Sequence, residues 1–276
     1  MPENVPVEQE GGSAIVSAMS LADAPGRNVR VLSVVMPAYN EEATIAEIVG
    51  LVLASPFTAE LVIIDDASTD RTVEIIETLS DPRIRLLRQD VNQGKGAAIR
   101  RGFKESTQRF VIVQDADLEY DPTDYHQIMA PLLEGKADVV FGSRFLTTRA
   151  HRVLYYWHSV GNKFLTTMSN MFTNLNISDM ETCYKAFRRE VLESFELEEN
   201  RFGIEPEMTA KVARGNWRIY EVGISYSART YAEGKKIGWR DGARAIFCIL
   251  VYSPLGARVP VRRLEPLVQR LTKSRA

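Results

Sequence analysis

What most constrains this chain is a regular alternation of short apolar runs and amphipathic segments between residues 31 and 141. Residues 31–36, 61–64, 84–87, 110–113 and 139–141 are largely apolar and rich in β-branched side chains, so they read as buried strands. The segments 41–54, 68–79, 96–106 and 124–133 read as helices, the first with Ile45, Ile48, Val49 and Val52 at helical spacing. Asn40 is the expected N-cap of the first helix, and Ser68 or Asp70 that of the second. Such alternation predicts an α/β fold with a mostly parallel central sheet flanked by helices. In sheets of this kind the ligand sits at the carboxyl ends of the strands. Those ends carry Pro37 to Glu41, Asp65 and Asp66, Asp115 to Asp117, and Gly142 to Arg144. The active edge is therefore readable from the pattern alone.

Flanking segments behave differently. Residues 1–28 hold Glu3, Glu8, Glu10 and Asp23 against Arg27, which predicts a mobile leader rather than a signal peptide. Beyond Arg144 the alternation lapses: 153–174 reads as one long helix of mixed aromatic and polar residues. Strands are expected at 183–187 and 217–225, around a 206–213 helix. The apolar run 246–252 precedes a tail with Arg258, Arg262, Arg263, Arg270, Lys273 and Arg275 against Glu265. That pairing fits either an amphipathic helix on an anionic lipid surface or a core helix with a solvated tail. The expected division is thus 1–28, 29–240 and 241–276.

Composition excludes several classes. With 34 basic and 36 acidic side chains the net charge is −2, which argues against a general nucleic-acid binder. Two cysteines, Cys183 and Cys248, make no disulfide framework, so a reducing, cytoplasmic setting is expected. No apolar run approaches the roughly 18 residues of a bilayer span, so any membrane contact would be peripheral.

The chemistry concentrates in a few places. In an extended chain Asp115 and Asp117 point to one side, and Glu119 continues the row. Hard oxygen ligands in that number suit Mg²⁺ or Mn²⁺, which also bridge substrate phosphates; the plainer reading is a solvated acidic turn. Lys95, between Gly94 and Gly96, opens a helix where backbone N–H groups and a cation can hold an anion. Arg144 can meet a phosphate or pair with a carboxylate. Tyr39 can stack on a base, and Asp65 or Asp66 can accept from a base or ribose. Arg229, Lys235 and Lys236 lie on a glycine-bearing loop suited to clamping a diphosphate. Walker A, dinucleotide, serine-hydrolase, zinc-protease and Cys-x-x-Cys signatures are absent.

Taken in order, "VVMPAYNEE", "VIIDDASTDRT", "NQGKGAA", "DADLEY", "GSRF", "ISDMETCYKAF" and "ARTYAEGKK" resemble the family 2 glycosyltransferases of the GT-A fold. Within them the chain is similar to dolichyl- and polyprenyl-phosphate mannose or glucose synthases. The resemblance implies a nucleotide-sugar site of Pro37, Tyr39, Glu41, Asp66, Lys95, Asp115, Ala116, Arg144, Arg229 and Lys235. It implies Mg²⁺ or Mn²⁺ at Asp115, Asp117 and Glu119, and catalytic roles for Asp117, Asp179 and Arg229, with Asp179 as a base. The expected reaction is an inverting single displacement that moves a hexose from GDP-mannose or UDP-glucose to a polyprenyl or dolichyl phosphate. A lipid phosphate is largely ionised at pH 7, its second pKa being about 6, so Asp179 would then position rather than deprotonate. Alternatives are a transferase acting on a sugar, glycan or protein hydroxyl, a nucleotidyltransferase, and a non-catalytic nucleotide-sugar-binding protein. The chain departs from the family at Thr182 to Lys185, on the acceptor side.

Overall fold

The computed structural model describes residues 29–146, 152, 153, 155–228 and 239–254. The expected leader, Arg229, Lys235 and the basic tail lie outside them. One seven-stranded sheet organises the fold, in the order β3-β2-β1-β4-β6-β5-β7. Its strands are β1 (Leu32–Ala38), β2 (Thr58–Asp65), β3 (Ile84–Arg88), β4 (Phe110–Val113), β5 (Val139–Ser143), β6 (Lys185–Arg188) and β7 (Ile219–Gly223). The helices of four or more residues are α1 (Ile45–Ala54), α2 (Thr72–Thr78), α3 (Lys95–Glu105), α4 (Tyr125–Leu133), α5 (Tyr156–Thr173), α6 (Arg189–Glu193), α7 (Ile204–Arg214) and α8 (Trp239–Tyr252).

The first four strands pair in parallel, and β5 pairs in parallel with β7. The run at 183–187 is a strand, but displaced to Lys185–Arg188 and antiparallel to both β4 and β5. Sequence spacing does not reveal that reversal, because the turn before β6 is set by contacts described below. Both faces of β1, β2 and β4 are buried, which is why these strands are continuously apolar rather than alternating.

Helix starts shift for local reasons. Asn40 does not cap α1; its φ of 55° turns the chain, and its Oδ1 accepts from the Thr69 N–H at 2.8 Å. Neither Ser68 nor Asp70 is the N-cap of α2, which is Arg71; Asp70, one residue earlier, accepts from the Thr72 N–H at 3.0 Å. Helix α5 stops at Asn174, whose left-handed φ of 59° suits asparagine.

On one face of the sheet α3 packs against β1 and β2 through Ala98, Val35, Val62 and Ile64. A Cβ at Gly102 would lie 2.2 Å from Val35 Cγ1 and 2.7 Å from Ile64 Cδ1. Alanine there gains about 1 kcal/mol of helix propensity and costs about 1–3 kcal/mol of overpacking. Gly102→Ala should therefore lower the urea midpoint, and a raised midpoint would show that the contact relaxes.

The membrane reading of 246–252 does not hold as a surface feature. Helix α8 packs on α7 and α5, with Phe247, Cys248, Val251 and Tyr252 buried beside Ala210. It starts at Trp239, across the expected boundary at 240/241. Arg244 anchors it, donating to both Glu199 carboxylate oxygens at 3.0 and 2.6 Å.

Candidate active site

At the carboxyl ends of β1, β2 and β4 the loops are stitched to one another. The Asn40 N–H donates to Ser68 Oγ at 3.0 Å and the Glu41 N–H to Thr72 Oγ1 at 2.8 Å. Thr44 Oγ1 donates to the Ala116 carbonyl at 2.8 Å and to Glu41 Oε2 at 3.2 Å. Asp66 holds the next loop: its oxygens accept from Gln89 Nε2, the Gln93 N–H and the Gly94 N–H, each at 2.7 Å. These bonds shape a cavity of about 980 Å³. Pro37, Tyr39, Glu41, Asp66, Lys95, Asp115, Ala116, Asp117, Glu119 and Arg144 all line it. Asp179 does not.

The acidic row is not the three-carboxylate cluster that the spacing suggests. Strand β4 ends at Val113, residues 116 and 117 form a turn, and Leu118 has φ of 61°. The chain is no longer extended there, so positions two apart need not share a side. Asp115 pairs with Lys95 Nζ at 2.9 Å, Asp117 Oδ1 accepts from the Glu119 N–H at 3.1 Å, and Glu119 Oε2 accepts from the Tyr226 hydroxyl at 2.8 Å. Among the described residues no three acidic, histidine or cysteine side chains are grouped to hold a metal ion. The donor chemistry still fits a divalent cation. Mg²⁺ is commonly held by one or two carboxylates with substrate phosphate and water completing the shell, and Asp115 and Asp117 face one cavity. Glu119, engaged with Tyr226, fits less well.

The glycine–lysine–glycine entry to α3 serves packing more than anion binding. The Gly94 N–H is taken by Asp66, and the Ala97 N–H donates to the Asn200 carbonyl at 3.1 Å. A Cβ at Gly94 or Gly96 would come within 2.4 Å of backbone oxygen at Asn200 or Glu199, so the glycines let that segment approach. Lys95 bridges Asp115 and Glu205, the latter at 3.1 Å. Burial works against its charge, but the two carboxylates hold its ammonium well above the ordinary lysine range.

Arg144 and Asp179 form a buried, bidentate pair. Arg144 Nε and Nη2 donate to Asp179 Oδ2 and Oδ1 at 2.6 and 2.7 Å, and the Arg144 N–H adds a third bond at 3.1 Å. Asn162 Nδ2 donates to Oδ1 at 2.9 Å. The Arg144 guanidinium also lies 5.0 Å from the Tyr226 ring centre. Burial alone would raise the Asp179 carboxyl, yet Arg144 and Asn162 hold it below the usual carboxylate range. A carboxylate so placed is a weak base with both oxygens engaged, which is a correction to its expected catalytic role.

Two acids outside the expected set lie on the cavity wall. Glu181 Oε1 and Glu205 Oε2 are buried without a hydrogen-bond partner. Burial, with the Glu205 charge adding to it, pushes the Glu181 carboxyl up to about 8. Beneath them Lys185 Nζ donates to the Met180 carbonyl at 2.8 Å and to the Thr182 carbonyl at 2.5 Å, fixing the turn that reverses the chain into β6. The available sequence signal was Glu181 standing two residues after Asp179 in the same motif. Burial, which distinguishes the two, is not visible in spacing.

Comparison with known proteins shows the family. The profile described as "Glycosyl transferase family 2" matches residues 33–195, more than half of the chain. Glycosyltransferase AglJ of Haloferax volcanii is 31% identical over 197 residues, covering 71% of this chain and 63% of that protein. The chain spans only 33% of the length of AglD from the same organism. The polyprenol monophosphomannose synthase of Mycolicibacterium smegmatis is 27% identical over 214 residues, covering 74% of this chain and 80% of the synthase. Among solved structures, glucosyl-3-phosphoglycerate synthase from Mycobacterium tuberculosis, in complex with Mn²⁺, UDP and glucosyl-3-phosphoglycerate, aligns with a TM-score of 0.64 at 21% identity. That alignment covers 89% of this chain and 86% of the synthase, and it supports the GT-A arrangement of sheet and helices. Because the family profile spans more than half of its residues, the chain belongs to glycosyl transferase family 2.

Proposed function

We propose that this chain transfers a hexose from a nucleoside diphosphate sugar to a polyprenyl phosphate, inverting the anomeric carbon. The observation that carries the reading is the convergence of Tyr39, Lys95, Asp115, Asp117 and Arg144 on one cavity at the strand ends. Relatives named polyprenol monophosphomannose synthase and undecaprenyl-phosphate mannosyltransferase support the acceptor class.

In this reading Tyr39 stacks on the base, and Asp66 shapes the base pocket by fixing residues 89–94. Asp117, with Asp115 beside it, would hold Mg²⁺ or Mn²⁺. When bound, that ion supplies positive charge where negative charge builds on the departing diphosphate. Lys95 keeps the Asp115 carboxylate oriented and adds a cation to the cavity wall. The Asp179–Arg144 pair holds the guanidinium at the cavity edge without rotameric freedom. Arg229 and Lys235 are proposed to close over the diphosphate. A second reading, transfer to a hydroxyl, is favoured by one observation: the buried, unpartnered Glu181 carboxyl oxygen is placed to take a proton.

The test uses the full chain with GDP-mannose or UDP-glucose and a short-chain polyprenyl phosphate in detergent. A glycolipid product is expected, lost on chelation and restored by Mn²⁺. Asp117→Ala should lower turnover about 100-fold or more, as loss of transition-state charge stabilisation does. It should also abolish Mn²⁺-dependent thermal stabilisation by the nucleotide. No product with either donor, or turnover indifferent to chelator and to Asp117→Ala, would overturn the reading.

A further inference from the structure

Helix α5 is apolar on both sides. Inward, Leu165, Met168 and Phe172 pack against the core around the buried Thr166, Ser169 and Thr173, and Asn162 reaches Asp179. The opposite side is apolar and exposed, with Trp157 78%, Met171 72% and Phe164 56% accessible beside Tyr156 and Val160. At 100° per residue, positions 156, 157, 160, 164 and 171 fall within an arc of about 100°, a single stripe along the helix. A stripe of this kind facing water is unusual for an isolated soluble surface and marks a contact.

Three observations say what contacts it. Trp and Tyr dominate one end of the stripe, and such rings settle at the boundary between headgroups and acyl chains. From Phe145 to Ser178 the sequence contains Arg149, Arg152 and Lys163 and not one Asp or Glu, although the whole chain carries a net charge of −2. That local sign complements an anionic lipid surface. Finally, the stripe is continuous with the cavity: Val153, Tyr155 and Trp157 line its mouth.

We infer that the outward face of α5 is a bilayer-docking surface selective for anionic lipid, which sets the cavity mouth at headgroup depth. This deepens the proposed function and rests on it for what enters the cavity. A lipid-linked phosphate could then reach the strand ends without its chain crossing water. The inner face of the helix meets the same site, since Met180 N–H donates to Thr166 Oγ1 at 3.1 Å and Asn162 holds Asp179. Helix α5 therefore joins the membrane-facing surface to the buried Arg144 pair.

The experiment needs neither donor nor acceptor. The full chain is mixed with vesicles of phosphatidylcholine alone or with 30% phosphatidylglycerol, followed by sedimentation and tryptophan emission. Expected are binding to the anionic vesicles, a blue shift that Trp157→Phe removes, and at least tenfold weaker binding in Phe164→Asp/Met171→Asp. Both replaced side chains are exposed and lie off the cavity, so the thermal melt and transfer to a short-chain acceptor in detergent should be unchanged. Undiminished vesicle binding by the double variant would overturn the inference. So would a wild-type dimer in sedimentation velocity that the variant dissolves, because the stripe would then cover a second copy. Vesicle binding without transfer in detergent would overturn the acceptor reading and leave the docking surface standing, and transfer without vesicle binding would do the reverse.

Discussion

Asp179→Ala is expected to cost the folded protein about 3–5 kcal/mol, the range for breaking a buried ion pair and stranding its partner. The partner is Arg144, whose side chain is 13% exposed while that of Asp179 is fully buried. Alanine removes the acceptors of four hydrogen bonds, three from Arg144 and one from Asn162, and leaves the guanidinium desolvated. Asp179→Asn should cost less, since it keeps an acceptor oxygen, but it surrenders the charge. The pH dependence follows from the direction of the shift. The folded carboxyl lies below its unfolded value of about 3.9, so the stabilisation is complete above that pH and is lost as pH falls through the lower folded value. Urea titrations of the wild type and both variants at pH 7 and at about pH 2 measure this: the gap between wild type and variants should narrow at the acid end. An unchanged midpoint with turnover lost would return Asp179 to the role of base.

Much of the fold was legible because burial leaves a strong mark on composition. Strands β1, β2 and β4 are covered on both faces, so their residues form unbroken apolar runs, and the polar residues that follow mark the site. What the pattern missed depends on contacts and turns that residue spacing does not show. The glycines around Lys95 answer to the backbone of residues 199 and 200, about a hundred positions on. The reversal into β6 depends on Lys185 gripping carbonyls within its own turn. The acidic row failed as a cluster because the i, i+2 rule presumes an extended chain, and Leu118 turns it. The mixture of aromatic and polar residues over 153–174 was visible, but only the packing shows that Trp157, Phe164 and Met171 face outward while Leu165, Met168 and Phe172 face the core.

Glu181 gives the measurement that separates a phosphate acceptor from a hydroxyl one. Its carboxyl lies at the cavity wall with Oε1 unpartnered, and burial beside Glu205 raises it to about 8. Below that pH it is neutral and can donate to an anionic acceptor; above it, a second negative charge faces the acceptor phosphate. For a polyprenyl phosphate, turnover should rise as the acceptor ionises near pH 6 and then fall up to tenfold per unit as pH passes about 8. Glu181→Gln, neutral throughout, should keep most of the activity at pH 7 and flatten the alkaline fall. For a hydroxyl acceptor the signs reverse. Turnover should climb through about 8 as the base ionises, and Glu181→Gln should lose about 10²–10⁴-fold at every pH, the usual contribution of a positioned base. The folded protein is also expected to lose stability between about pH 4.5 and pH 8. Over that interval the unfolded chain ionises Glu181 while the native state keeps it protonated, so the neutral form favours folding only at the acid end. Glu181→Gln should shrink that slope under either acceptor, which ties the activity profile to this carboxyl rather than to another group titrating nearby.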